Sequence, residues 1–155
     1  MSLPPIKTLA AILSIASLSQ VLALTPAHAQ PAAESAAASL TVTFTGLKST
    51  TGALMVALYD SEAAYAGGQP VQAVRIAAGA AALTTVFPGL KPGRYAIKAF
   101  HDLNGDGKLN TNPFGAPTEP FAFSNNAQAN MGPASWADAA FTVAAGANAQ
   151  TIVIE

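Results

Sequence analysis

The stretch LTVTFTGL, residues 40–47, alternates apolar and threonine side chains as far as Thr45. Leu40, Val42 and Phe44 fall on one face, Thr41, Thr43 and Thr45 on the other. A period of two marks a strand buried on one side only. STTG (49–52) then reads as a turn, and ALMVALYD (53–60) as a second, more apolar strand. SEAAYAGGQP (61–70) reads as a loop with a helical turn, closed by Gly-Gly and Pro.

The same pattern continues downstream. VQAVRIA (71–77) and ALTTVF (82–87) form a further strand pair. PGLKPG (88–93) reads as a turn, with Pro92-Gly93 at the central positions of a type II turn. RYAIKAFHD (94–102) places Tyr95, Ile97 and Ala99 on the core face and Lys98 on the other. AAFTVAAGANAQTIVIE (139–155) supplies two closing strands. Short strands, frequent turns and no long helical period predict an all-β domain. The expected form is a single antiparallel β-sandwich, an Ig-like or transthyretin-like Greek key of about seven strands. FTGLKSTTGALMVALYD (44–60) and FPGLKPGRYAIKAFHD (87–102) also echo one another as strand–turn–strand units, which puts Asp60 and Asp102 at comparable strand ends.

The first 29 residues have a different character. MSLPPIK carries Lys7, TLAAILSIASLSQVLAL (8–24) is apolar and uncharged, and Ala27-His28-Ala29 offers an A-x-A cleavage site. That order is a secretory signal peptide. The alternative, a membrane anchor, is disfavoured by Ser14, Ser17, Ser19 and Gln20 within the run. With no cysteine in the chain, a lipoprotein anchor is excluded. The expected organisation is a signal peptide at 1–29, an Ala-rich linker at 30–39 and the β-domain at 40–155. The destination is the periplasm or beyond, with no stable membrane anchor after cleavage. A mature chain of about 126 residues buries roughly two-thirds of its unfolded surface. The charge balance, 7 Lys+Arg against 8 Asp+Glu, leaves no basic face for nucleic acid.

The densest polar chemistry is FHDLNGDGKLNTN, residues 100–112. Counted from Asp102, Asn104 stands at position 3, Asp106 at 5, Gly107 at 6, Lys108 at 7 and Asn110 at 9. This is the D-x-[DN]-x-[DN]-G opening of a calcium loop, in which alternate residues turn oxygens inward. Position 7 contributes its backbone carbonyl, so Lys108 fits. Leu109, at position 8, would anchor the loop on the core. Pro113 stands where the closing bidentate glutamate belongs, so the expected site is weak, structural and of low charge. Glu119 and Asp60 are the candidates for a completing carboxylate. The alternative is a self-bonded loop of Asx turns.

Other residues are read more plainly. Phe121, Phe123 and Trp136, with Asn125 and Asn126, describe either a surface that stacks on a sugar or peptide, or a long loop plugging an open end of the sandwich. His101 beside Asp102 has no nucleophile in motif context, and Ser124 lies in FSNN, not G-x-S-x-G. His101 is expected to end its strand and bond into the loop. The sequence therefore reads as non-catalytic, a binding or scaffold module for an envelope or extracellular ligand. The competing class is a carboxylate-dependent glycan hydrolase or lyase using Asp60, Asp102, Glu119 or Asp138.

GLKPGRYAIKAFHDLNGDGKLNTNPFGAPTEPFAFSNNA (89–127), together with MGPASWADAAFTV (131–143), resembles the DUF2141 family of exported bacterial proteins. The likeness runs from about Leu40 to the end. It implies a small exported β-domain with no assigned enzyme activity or substrate. GLKPGRY is also similar, more weakly, to the turn of transthyretin-like and Cna-B-type sandwich modules of surface proteins, which implies a binding or scaffold role by analogy.

Overall fold

The computed structural model describes residues 37–155. The signal peptide expected at 1–29 and the linker residues up to 36 lie outside the described residues. The alternating stretch forms β1 (Ala38–Thr45), with every second side chain buried. It starts two residues inside the expected linker, because Ala38 packs into the core. Then follow β2 (Ala53–Tyr59), the helical turn α1 (Glu62–Gly67), β3 (Gln72–Ala77), β4 (Leu83–Leu90) and β5 (Gly93–Asp102). After a long irregular stretch come β6 (Phe121–Phe123), α2 (Trp136–Ala139), β7 (Phe141–Val143) and β8 (Gly146–Val153).

These eight strands make a β-sandwich. The smaller sheet has the order β4-β1-β8; the larger has β3-β2-β5-β6, with β7 on the first residues of β5. The core lies between them: Leu40, Val42, Phe44, Phe87 and Ile152 from one sheet meet Leu54, Val56, Leu58, Tyr95 and Ile97 from the other. The two echoing sequence units are laid out alike. β1 and β4 pair antiparallel in the smaller sheet, and β2 and β5 pair antiparallel in the larger.

The expected antiparallel β-sandwich stands, with three departures in detail. All pairings are antiparallel except β1–β8, which is parallel along its full length. A hairpin return would have made it antiparallel, but β8 arrives from β7 in the facing sheet through Ala144 and Ala145. The strand not read from the sequence is β6, whose three residues lie between two irregular segments. The Pro-Gly turn also differs. Left-handed backbone falls at Gly89 (φ 69°), not at Gly93. β4 continues through Pro88 and Gly89, and its register against β1 slips between Ala38–Leu90 and Leu40–Phe87. Gly89 thus serves a β-bulge, where an extra residue needs positive φ. The Tyr95 hydroxyl donates to the Lys91 carbonyl at 2.9 Å and ties the corner down.

At the other end of β5 the chain passes very close to the β1–β2 connection. Gly52 has φ 78°, and a Cβ there would overlap the Asp102 carbonyl oxygen. Beside it, the fully buried His101 ring approaches the Thr51 carbonyl, 2.7 Å from Nε2. A carbonyl only accepts, so Nε2 carries the proton. Nδ1 is buried without a partner among the described residues. His101 therefore ends its strand against the β1–β2 turn, not against the loop that follows it.

Replacing Gly52 with alanine adds left-handed strain and a backbone overlap. The expected cost is about 2–5 kcal/mol, summing typical values for a non-glycine αL residue and for overpacking. Urea unfolding of Gly52→Ala beside the parent protein measures it; an unchanged midpoint would contradict the close approach.

Candidate functional site

The larger sheet has a second, outward face. β5 alternates Tyr95, Ile97 and Ala99 into the core with Ala96, Lys98 and Phe100 outward. Pairing places the outward residues in rows. Arg75, Met55, Phe100 and Phe121 form one row across four strands. Ala73, Ala57, Lys98 and Phe123 form the next, and Tyr59 opposite Ala96 the third. The two alanines in the middle row leave a trough between larger neighbours. It is a cavity of about 550 Å³, lined by Met55, Ala57, Tyr59, Ala73, Lys98 and Phe100 among others.

A second cavity of about 600 Å³ adjoins it, sharing Leu109, Phe121, Phe123 and Pro133. Phe114 and Met131, both almost wholly exposed, stand on its margin. Leu109 is 37% exposed and borders both cavities. The expectation that it anchors on the core is therefore corrected: it points to the outer face.

One end of the trough is closed by aromatic packing. Tyr65 of α1 meets Tyr59 at 5.6 Å and Trp136 at 5.8 Å between centroids, both edge-on. Its hydroxyl donates to the Ala134 carbonyl at 2.9 Å. Burial, with Tyr59 and Asp138 nearby, pushes its phenol up to about 12. Lys98 Nζ lies 4.2 Å from the Tyr65 ring centroid and 5.4 Å from that of Tyr59, and donates to the Tyr65 carbonyl at 2.6 Å. Burial lowers its pKa.

The aromatics and amides singled out in sequence mostly serve this layer as structure. Phe123 and Tyr65 are buried in a second apolar cluster, with Phe121 and Trp136 packed against it. It covers part of the sheet's outer face rather than plugging an end of the sandwich. Asn125 and Asn126 adopt left-handed φ, which asparagine tolerates. The Asn125 amide donates to the carbonyls of Asp138 and Ala140, and Asn126 Oδ1 accepts from the Val153 N–H. Ser124 Oγ accepts from the Ile97 N–H at 2.8 Å and donates to the Ala139 carbonyl at 2.6 Å. It fills the gap on β5 between the residues paired by β6 and by β7.

The 102–110 loop brings its expected residues together. Asp102 is fully buried; Oδ1 accepts from Gly105 N–H at 2.7 Å and Oδ2 from Gly107 N–H at 3.0 Å. Asn104 Oδ1 accepts from Asp106 N–H, and Asp106 Oδ1 from Lys108 N–H. The Asn104 amide nitrogen donates to Asp106 Oδ2 at 3.2 Å and Asn110 Oδ1 at 3.0 Å. The Asn110 amide donates to Asp106 Oδ2 at 3.0 Å. Bonds from the Asn110 side chain and the Lys108 N–H hold the Asp106 carboxyl below its usual pKa. Thus these side chains are mutually satisfied, with an amide NH₂ between the two oxygens that a cation would bridge.

Of the two candidate closing carboxylates, Glu119 reaches the loop. Its Oε1 accepts from Leu103 N–H at 2.8 Å and its Oε2 from Asn110 N–H at 3.0 Å, clamping the loop's two ends. Asp60 follows Tyr59 at the opposite end of β2, whereas Asp102 pairs with Ala53 at its start. Asp138 lies in α2, accepting from the Ser135 hydroxyl at 2.6 Å. Among the described residues no three acidic, histidine or cysteine side chains gather as a metal-holding group. Sequence reasoning noted Lys98 on the non-core face but missed the trough. The available signal was one lysine in an apolar strand, with alanines at 57 and 73 on its neighbours.

Glu119→Ala frees two backbone N–H groups at once. At about 1–3 kcal/mol for each unsatisfied group, stability should fall by about 2–6 kcal/mol. Hydrogen exchange should show lost protection at Leu103 and Asn110 with β5 unchanged; full retention at both amides would refute the clamp.

Searches among curated proteins and solved structures found no match. A family model described as an uncharacterized protein conserved in bacteria, DUF2141, matches residues 42–151, from β1 into β8. On that match the chain belongs to the DUF2141 family.

Proposed function

We propose that this is an exported, non-catalytic binding module that takes an envelope or extracellular ligand on the outer face of its larger sheet. The observation carrying the reading is the pair of adjoining, largely apolar cavities of about 550 and 600 Å³. Each is of the size that small-molecule sites occupy, roughly 300–1,000 Å³. Export rests on the signal-peptide pattern of residues 1–29. Of the acids an alternative hydrolase would need, Asp102 and Glu119 bond backbone N–H groups, Asp138 accepts from the Ser135 hydroxyl, and Asp60 stands at the far end of β2.

A neutral solvatochromic dye, Nile red, tests the reading. It should bind saturably at one equivalent, and Ala57→Phe, which fills the trough, should weaken that binding at least tenfold. Absence of saturable binding would remove the groove as a ligand site.

The 102–110 loop is, on this proposal, a weak calcium site that stiffens one margin of the groove through Leu109. Its donor set is all hard oxygen, from Asp102, Asn104, Asp106, Asn110 and the Lys108 carbonyl, which suits calcium. Loading needs the Asn104 and Asn110 amides to turn away from Asp106, which favours modest affinity. With a dissociation constant of roughly 10⁻⁴–10⁻³ M, 10 mM calcium should add about 1.4–2.7 kcal/mol to stability. Thermal melts in calcium and in chelator read this directly, and equal midpoints would eliminate the metal.

A further inference from the structure

We propose that the groove's ligand is a long-chain fatty acid, its carboxylate on Lys98 Nζ and its chain along the trough toward Phe121 and the second cavity. This deepens the binding reading above and rests on it. An ammonium group has three donors. Lys98 spends one on the Tyr65 carbonyl and turns its remaining charge toward two tyrosine faces. Burial lowers its pKa. A half-buried cation with no carboxylate partner among the described residues, set on an apolar wall, favours an anion, because burial of a charge is costly unless it is paired.

The rest of the wall defines the remainder of the ligand. Met55, Ala57 and Phe100 line the first cavity, and Leu109, Phe121 and Phe123 carry the apolar surface into the second. Of the nearby groups suited to a sugar or peptide backbone, the Asn125 NH₂ and the Asn126 Oδ1 are committed to backbone partners. A peptide would bring its own N–H and C=O groups onto a surface with little to satisfy them. A single saturated chain with one charge at one end brings none. It fits a site whose first cavity is lined by two cations, Lys98 and Arg75, with an apolar path leading on into the second.

The test is displacement of Nile red from the purified protein by palmitate, hexadecanol and hexadecyltrimethylammonium, which share one chain and differ in head charge. Palmitate should bind at least tenfold more tightly than hexadecanol, and the cation most weakly. Affinity should rise about fourfold per methylene from decanoate upward until the cavities are filled, as burial of each CH₂ predicts. Lys98→Met should bring palmitate down toward the level of hexadecanol.

Equal binding of palmitate and hexadecanol to the parent protein would overturn the anionic head but leave the binding reading standing. Bound dye that none of the three displaces would overturn the whole class. Capture by phosphatidylglycerol vesicles without displacement by free palmitate would replace the fatty acid with a membrane surface. Failure of Nile red itself to bind would sink the underlying reading instead. If Lys98→Met does not fold, the three-head comparison on the parent protein decides the proposal alone.

Discussion

β5 has its core face buried and its outer face covered in part, and the rest of the molecule follows from that constraint. Ile97 and Ala99 must be covered by the smaller sheet; Ala96 and Lys98 must be covered by something else. The cover on the second side is built from short pieces: one helical turn carrying Tyr65, one carrying Trp136, and the segment around Ala134. None is long enough to span the sheet. The covering stops where the small side chains of Ala57 and Ala73 begin, and the groove is the part of the face left open.

Short polar side chains replace the regular ladder that such pieces cannot make. A buried N–H must find an acceptor, because leaving it unpaired costs about as much as several ordinary contacts gain. Ser124 takes the Ile97 N–H, Asn126 takes the Val153 N–H, and Glu119 takes those of Leu103 and Asn110. Asp102 takes those of Gly105 and Gly107. Buried carboxylates would ordinarily raise suspicion of catalysis. Here each oxygen of Asp102 and Glu119 accepts a backbone proton, so the pair holds an irregular segment in one shape without a disulfide.

The core sheet faces were legible because a period of two is a property of adjacent letters. Leu40, Val42 and Phe44, or Tyr95, Ile97 and Ala99, declare their face within a few residues. β6 was not legible, since three residues carry no period and its pairing with β5 depends on contacts between distant segments. The bulge at Gly89 was hidden for a related reason. Two glycines flank Lys91 and Pro92, and only the register against β1 selects which one takes left-handed φ. The loop ligands were readable from spacing, and Glu119 could be named as a candidate but not placed. The trough was invisible because an alanine reads as core or surface alike. Its meaning comes from Ala73, Ala57 and Lys98 lying side by side on three strands.

The parallel pairing of β1 with β8 joins the first described strand to the last. No local hairpin can form that contact; it closes a loop of about a hundred residues, and such non-local pairing slows folding. Until residues 146–153 arrive, β1 keeps an open edge and Phe44 lacks its neighbour Ile152. The domain is therefore a structure that completes itself last at its C-terminal end. A chain shortened by a single strand would present β1 as an unprotected template for pairing with another copy.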